Sequence, residues 1–331
     1  MPISSLTTMR LGGNTKFLID VEKPEEIPEA FEFVEEKGLK FFFLGEGANS
    51  IGEDEGFPGA IIRNKITGLS IIDEENKIIK GFGGEIWDNV VKFTTSLGWS
   101  GIEAMSAIPG TLGAAPIQNI GAYGQEISQV IVEVEAFDTL THEFVTIPKS
   151  EMDMSYRKTI FNFGEKVGRY FIVSVTLKLN NEGLKPPFYT SLQKYVEENN
   201  VSDFSPENVR KMVAEIRDSK LPDPKEFASA GSFFKNIYLS DEEANEVEAR
   251  GIQVFRTNGE NTINTGWLIE QAGLKGKEFF GFRVSDKAAL ILINENAKSF
   301  SDLEKAKNEI SRTVKEKFGF ELEMEPVKIE A

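Results

Sequence analysis

The sequence has no cysteine and a single histidine, His142. Disulfides, thiolate metal sites, iron–sulfur clusters and thiol nucleophiles are thereby excluded. One histidine supports neither a histidine-rich metal site nor an ordinary Ser/His/Asp triad, so no metal is expected. Positive charge is also scarce. Lys and Arg number 37 against 53 Asp and Glu, a net charge of -16, which does not suit nucleic acid or an anionic membrane. A polyanionic small molecule is compatible with this balance only where basic groups gather locally. No low-complexity tract or long single-sign run suggests disorder. The stretch MPISSLTTMRLGGNTKFLID lacks an apolar core followed by a small-residue cleavage site, so a cytoplasmic location is expected. Only the first eight and the last two or three residues read as loose.

What is present is an apolar fraction large enough to bury sizeable cores. With 331 residues, 40% of them hydrophobic and 26 of them Phe, the chain suits two or three domains. Residues 24 to 38 read as a helix with proline and acids in its first turn and a terminal glycine. KFFFLG and AIIRN read as strands flanking the glycine-rich GEGANSIGEDEGF. LSIID and KIIKGFG form a predicted hairpin, IWDNVVKFTTSLG a helix, and VIVEVEAFD and RYFIVSVTLKL half-exposed strands. SPENVRKMVAEIRDSKLP is a helix whose apolar face is Val209, Met212, Val213 and Ile216, and LPDP breaks it. Further on come the helices SDEEANEVEARG and WLIEQAG, the strand AALILIN, and a helix over 301–318 with a predicted Ser301/Glu304 capping box. FELEMEPVKIE closes the chain as a strand. No internal repeat is present, and the pattern is α+β.

One further absence is local. Between Glu103 and Glu126 there is no charged side chain. Pro109, Pro116 and several glycines break any membrane helix there, and Gln118 and Asn119 would sit unpaired in hydrocarbon. IPGTLGAAPIQNIGAYG is therefore either a buried structural loop or a backbone-lined cradle for a ligand. LGEGANS, residues 44 to 50, is a second glycine-bearing loop. Glycines bring backbone N–H groups close to a ligand, which is how loops bind pyrophosphate without cations. Neither loop is a P-loop or a dinucleotide fingerprint, and GFGGE at 81 to 85 is weaker still. SYRK sets Tyr156 beside Arg157. SKLPDPK and AGSFFKN bring Lys220, Ser232, Lys235 and Asn236 into one short region.

LGEGANS, IPGTLGAAPIQNIGAYGQE, SYRKTIF, KLPDP, AGSFFKN, GWLIEQAGLKG and LEMEP, in this order, resemble the UDP-N-acetylenolpyruvoylglucosamine reductase family (UDP-N-acetylmuramate dehydrogenases). The match runs from about Leu11 to Glu325. KPPFYTSLQKY resembles the tyrosine-bearing loop of the longer type of this family. The resemblance implies a three-domain α+β flavoprotein. Its two-domain FAD-binding part is of the vanillyl-alcohol-oxidase (PCMH) type, and a C-terminal α+β domain covers the substrate. The implied borders are 1–67 with 320–331, 68–219, and 220–319.

It further implies noncovalent FAD, NADPH as hydride donor and UDP-N-acetylglucosamine-enolpyruvate as the compound reduced, in peptidoglycan precursor synthesis. The implied molecule is a monomer with no nucleic-acid or membrane partner. By the same resemblance Arg157 clamps the substrate carboxylate, Ser232 is the general acid, and Glu325, or Glu323 two residues earlier, steadies the enolate. The FAD contacts implied are Gly45, Glu46, Gly47, Ala48, Asn49, Ser50, Pro109, Gly110, Gly113, Ala114, Ile117, Gln118, Asn119, Gly121, Ala122 and Arg217. Tyr156, Tyr189, Lys220, Asn236 and Lys287 are implied at the substrate. Ala288 stands where the family commonly has His or Gln, and Ala48 where Ser is common. A flavin oxidase of the same fold and a flavin-binding sugar-nucleotide sensor stay open as other readings.

Overall fold

The computed structural model describes residues 1–223, 226–257 and 259–330. Pro224 of the predicted LPDP break lies outside the described residues. The chain forms two compact units, one of 1–15, 47–58 and 220–331, the other of 16–46 and 59–219.

The second unit carries a three-stranded sheet and a five-stranded sheet. In the first, Phe57–Asn64 lies between Thr15–Val21 and Phe41–Leu44; all but Thr15, Phe57 and Pro58 belong to this unit. Phe41–Leu44 runs parallel to its neighbour with Phe41 opposite Ala60, and the helix Glu26–Glu36 buries Ile27, Ala30, Phe31 and Val34. The five-stranded sheet is ordered Glu143–Pro148, Ile131–Asp138, Tyr170–Lys178, Ile78–Phe82, Leu69–Asp73, with antiparallel pairing throughout.

Tyr170–Lys178 differs from the half-exposed strand expected, because everything from Phe171 to Leu177 is buried. As the central strand it is covered on both faces. Ile172, Val175 and Leu177 join Trp87, Val90 and Met105 in one core, while Phe171 and Val173 join Phe31 and Phe137 in another. A bulge between Ile172 and Ser174 shifts the alternation. The helices Trp87–Ser96, Thr190–Glu198 and Pro206–Lys220 complete the unit. KPPFYTSLQKY is thus helical from Thr190 onward, with Tyr189 at the N-cap.

The first unit is assembled from three separated pieces of chain. Met9, Leu11 and Ile51 pack in one core with Phe233, Phe234, Ile263, Leu268, Leu303 and Ile310. The first eight residues are accordingly not loose. Ile3 and Leu6 are buried, and the Ile3 N–H donates to the carbonyl of Gly13 at 2.8 Å. Three short strands each replace a longer expected one or pair across the chain. AALILIN is a strand only over Leu292–Asn294, since residues 288–291 form a turn closed by Ile291 N to Ala288 O at 3.0 Å. FELEMEPVKIE is a strand only over Val327–Ile329, which pairs in parallel with Ser50–Gly52.

The helix Phe300–Phe318 is capped by Ser299, not by Ser301. The Ser299 hydroxyl accepts from Asp302 N at 3.0 Å. Asp54 supplies the rest, its two carboxylate oxygens accepting from Phe300 N at 2.6 Å and Ser301 N at 3.0 Å. Three orphan donors of the first turn are thereby met, one pair of them from a distant piece of chain. The capping box of this unit is instead Ser240 with Glu243. Asp54→Ala removes two charge-assisted bonds at a helix N-terminus and is expected to lower stability by about 1–2 kcal/mol. An unchanged denaturation midpoint would contradict that expectation.

Candidate active site

In the second unit the two glycine-bearing loops meet. A β-carbon at Gly45 would lie 2.9 Å from Thr111 Oγ1 and 3.4 Å from the methyl of Ala114. Only a residue without a side chain lets these turns touch. The turn of residues 111–118 is backed by the GFGG turn. Gly113 N donates to Gly83 O at 2.8 Å and Leu112 N to Glu85 O at 2.8 Å. A β-carbon on Gly113 would meet the Gly83 backbone at 2.9 Å, and one on Gly81 would meet Leu112 at 2.5 Å. GFGGE, too weak for a dinucleotide fingerprint, thus supplies glycines that support the second loop. Three glycines within four residues at the end of the strand Ile78–Phe82 were the available signal.

The uncharged stretch has two sides. Thr111, Leu112, Ala115, Pro116 and Asn119 are buried, whereas Ala107, Pro109 and Ala114 are exposed and Ile108, Gly110, Gly113, Ile117 and Gln118 are half-buried. Helix Trp87–Ser96 holds the exposed side from behind. Trp87 N donates to Gly110 O at 3.0 Å, the Trp87 indole to Met105 O at 2.9 Å, and Ala107 N to the Asp88 carboxylate at 2.7 Å. A surface strip of small, uncharged residues on tightly held backbone is what a large ligand met by main-chain groups requires. The residues present fit a dinucleotide-sized flavin.

The predicted FAD contacts lie in several local structures. Gly45, Gly110, Gly113, Ala114 and Ile117 belong to the abutting turns. Gly121 and Ala122 form a small antiparallel ladder with Gln125–Glu126; Tyr123 and Gly124 both take positive φ in its turn. The Asn119 side chain is engaged within the protein, donating to Glu126 at 2.8 Å and Ser155 O at 3.1 Å and accepting from Ser128 N at 3.1 Å. Glu46 pairs with Lys65 at 3.1 Å on the surface. Gly47, Ala48, Asn49 and Ser50 belong to the first unit, where Gly47 O accepts from Thr8 N at 3.2 Å and Asn49 O from Val327 N at 2.9 Å.

Arg217, on the helix Pro206–Lys220, donates to Ala107 O at 3.3 Å and interacts with the Tyr123 phenol. Loss of hydration on burial lowers the Arg217 pKa, opposed by Tyr123 and Asp88. Burial raises that of Tyr123, opposed by Arg217. The Tyr189 ring stands edge-on to Tyr123, centroids 5.7 Å apart. Tyr123 therefore joins the glycine-rich hairpin to the tyrosine segment, a role its place in GAYG did not reveal. Arg157 stacks its guanidinium over Tyr156 at 5.0 Å and donates to Asn119 O at 3.3 Å.

In the first unit, AGSFFKN threads between two other segments. Ser232 bridges Ile291 and Phe234 bridges Met324; Phe233 N donates to Leu290 O, and Glu325 N to Phe233 O, both at 2.9 Å. This register places Glu325 on the segment directly beside Ser232–Phe234. Glu323 has an exposed side chain paired with Lys235 Nζ at 2.5 Å, while Glu325 is half-buried. The Asn236 side-chain oxygen Oδ1 accepts from Thr265 N at 3.1 Å, steadying the start of helix Thr265–Gln271. Lys287 and Lys220 are exposed.

Residues 15–143 match the FAD binding domain model, which makes this α+β chain a flavoprotein of the FAD-binding class, and the abutting glycine turns fit that class. Residues 223–329 match the C-terminal domain model of UDP-N-acetylenolpyruvoylglucosamine reductase. Curated reductases of that name are 34% identical in Bdellovibrio bacteriovorus, over 98% of this chain and 97% of that one. In Neisseria gonorrhoeae the identity is 35%, over 98% and 95%. The solved structure of the enzyme from Thermus caldophilus shares the fold with TM-score 0.66 and 22% identity, covering 99% of this chain and 97% of that one. The chain belongs to the UDP-N-acetylenolpyruvoylglucosamine reductase family. Among the described residues no helix is long and apolar enough to cross a membrane.

Proposed function

We propose that this chain is an FAD-dependent reductase that uses NADPH to convert UDP-N-acetylglucosamine-enolpyruvate to UDP-N-acetylmuramate in peptidoglycan precursor synthesis, as a cytoplasmic monomer. The observation that carries the reading is the exposed, uncharged strip where Gly45 meets Thr111 and Ala114. We assign residues 1–67 with 320–331, and 68–219, to the cofactor, and 220–319 to the substrate. The pairing of Val327–Ile329 with Ser50–Gly52 supports grouping the chain end with the first residues.

The two glycine turns would hold FAD noncovalently, and the bound flavin would supply the chemistry of hydride transfer between NADPH and the terminal carbon of the enol ether. The chain's own residues manage the charge that this addition creates. Negative charge develops on the neighbouring carbon and its carboxylate, and the fork of Arg157 meets that carboxylate in bidentate fashion. Ser232 gives its proton to the carbon, so that hydride and proton together saturate the double bond. A hydroxyl is a weak acid, and it serves here because the carbanion is strongly basic. Glu325 steadies the enolate; its half-buried side chain and the ion pair that occupies Glu323 support that choice.

Tyr189 reaches the diphosphate of the substrate, and Tyr156, Lys220, Asn236 and Lys287 complete its binding groups. Lys287 stands next to Ala288 and supplies the contact that alanine lacks. The purified protein should be yellow, and its anaerobically reduced form should be reoxidised by the enolpyruvyl sugar nucleotide. Intact bound FAD that stays reduced on that addition ends this reading. Rapid reaction of the reduced protein with oxygen alone would favour an oxidase instead.

A further inference from the structure

Arg157 sits in a tight turn, Ser155 to Lys158, closed by main-chain bonds in both directions, Ser155 N to Lys158 O at 2.8 Å and Lys158 N to Ser155 O at 3.2 Å. Its φ is +52°, a left-handed conformation that a β-carbon disfavours and that persists only where the surroundings impose it. Two asparagine amides grip the turn. Asn119 Nδ2 donates to the Ser155 carbonyl at 3.1 Å. Asn162 Nδ2 donates to the carbonyl of Arg157 itself at 2.9 Å, while Asn162 Oδ1 accepts from Thr159 N at 2.8 Å. The turn is tied back to the uncharged stretch by Thr159 Oγ1 to Ile117 O at 2.8 Å and Arg157 Nη1 to Asn119 O at 3.3 Å.

We propose that Asn162 is a positioning residue for Arg157: by pinning the arginine's carbonyl it fixes the left-handed backbone and so aims the guanidinium fork that receives the substrate carboxylate. The inference rests on the carboxylate-clamp reading of Arg157. Asn119 holds one end of the turn and Asn162 the other; of these two amides, Asn162 is the one that bonds the main chain of Arg157. Without that bond the residue can relax toward negative φ, and a rotation at the backbone is magnified at a guanidinium several bonds away. A misplacement of about 1 Å in a positioning group costs on the order of 100-fold.

The test uses the FAD-loaded protein and a double-mutant cycle. Asn162→Ala should weaken binding of the enolpyruvyl sugar nucleotide to the oxidised protein, read from the flavin absorbance, by about 10- to 100-fold. FAD content and melting temperature should stay near those of the parent. In an Arg157→Ala background the same substitution should add less than about twofold, because the group it positions is gone. Equal losses with and without Arg157, or no loss in the single variant, overturn the positioning role. If Arg157→Ala alone binds like the parent, the clamp reading fails first, an outcome distinct from a normal Asn162→Ala beside an impaired Arg157→Ala. Should Asn162→Ala not hold FAD, Asn162→Asp keeps the size and the Thr159 bond while losing the donor, and carries the same cycle.

Discussion

Replacing Ser232 by alanine should slow reoxidation of the reduced protein by the enolpyruvyl sugar nucleotide by about 10²- to 10⁴-fold, the usual contribution of a positioned general acid. Reduction by NADPH should change by less than about threefold, since no proton is supplied to carbon in that half. The segment carrying the hydroxyl explains why the variant should fold. Ser232 follows Gly231, which takes φ +69° with open space around it. The register is set by main-chain bonds from Phe233 to Leu290 and from Glu325 to Phe233, and by the buried, edge-on rings of Phe233 and Phe234. None of these uses the hydroxyl. Stopped-flow absorbance at the flavin band separates the two halves, and equal losses in both contradict the general-acid role.

Arg157→Lys is the second substitution with a large expected effect, on the order of 100-fold in the same reoxidation step. Lysine keeps the charge and loses the planar fork, the stacking over Tyr156 at 5.0 Å and the bond to Asn119 O at 3.3 Å. A point charge can still attract a carboxylate. It cannot hold the carboxylate and its carbon in one plane as charge spreads over them, which is the part of the interaction specific to the transition state. If the lysine variant reoxidises at the parent rate, attraction alone suffices and the bidentate clamp is wrong.

Much of this was legible in the sequence because it is local. The helix 206–220 buries the apolar face read from its periodicity, and the hairpin of Leu69–Asp73 with Ile78–Phe82 follows from alternation and a turn. The family membership rests on ordered motifs that the chain displays plainly. What stayed hidden depends on partners far away in sequence. Asp54 caps a helix that begins at Phe300, so the periodic pattern alone put the cap at Ser301. Tyr170–Lys178 alternates like a half-exposed strand but is covered twice. Gly83 is a weak motif by itself and acquires meaning only from Gly113 beside it. Asn162 follows a recognised motif by one residue, and its bond to Arg157 belongs to the folded turn.

The three-piece construction of the first unit also sets a timetable for synthesis. Met9, Leu11 and Ile51 leave the ribosome early, yet the partners that cover them, Phe233, Leu268 and Leu303 among them, come from the last third of the chain. At ordinary translation rates the interval from Ile51 to Leu303 is on the order of ten to fifty seconds. Through that time an apolar surface and the unpaired edge of Ser50–Gly52, which awaits Val327–Ile329, stand open to other nascent chains. The unit closes only after Val327–Ile329 has been made, so its yield in the cell should depend on chaperone supply more than its final stability suggests.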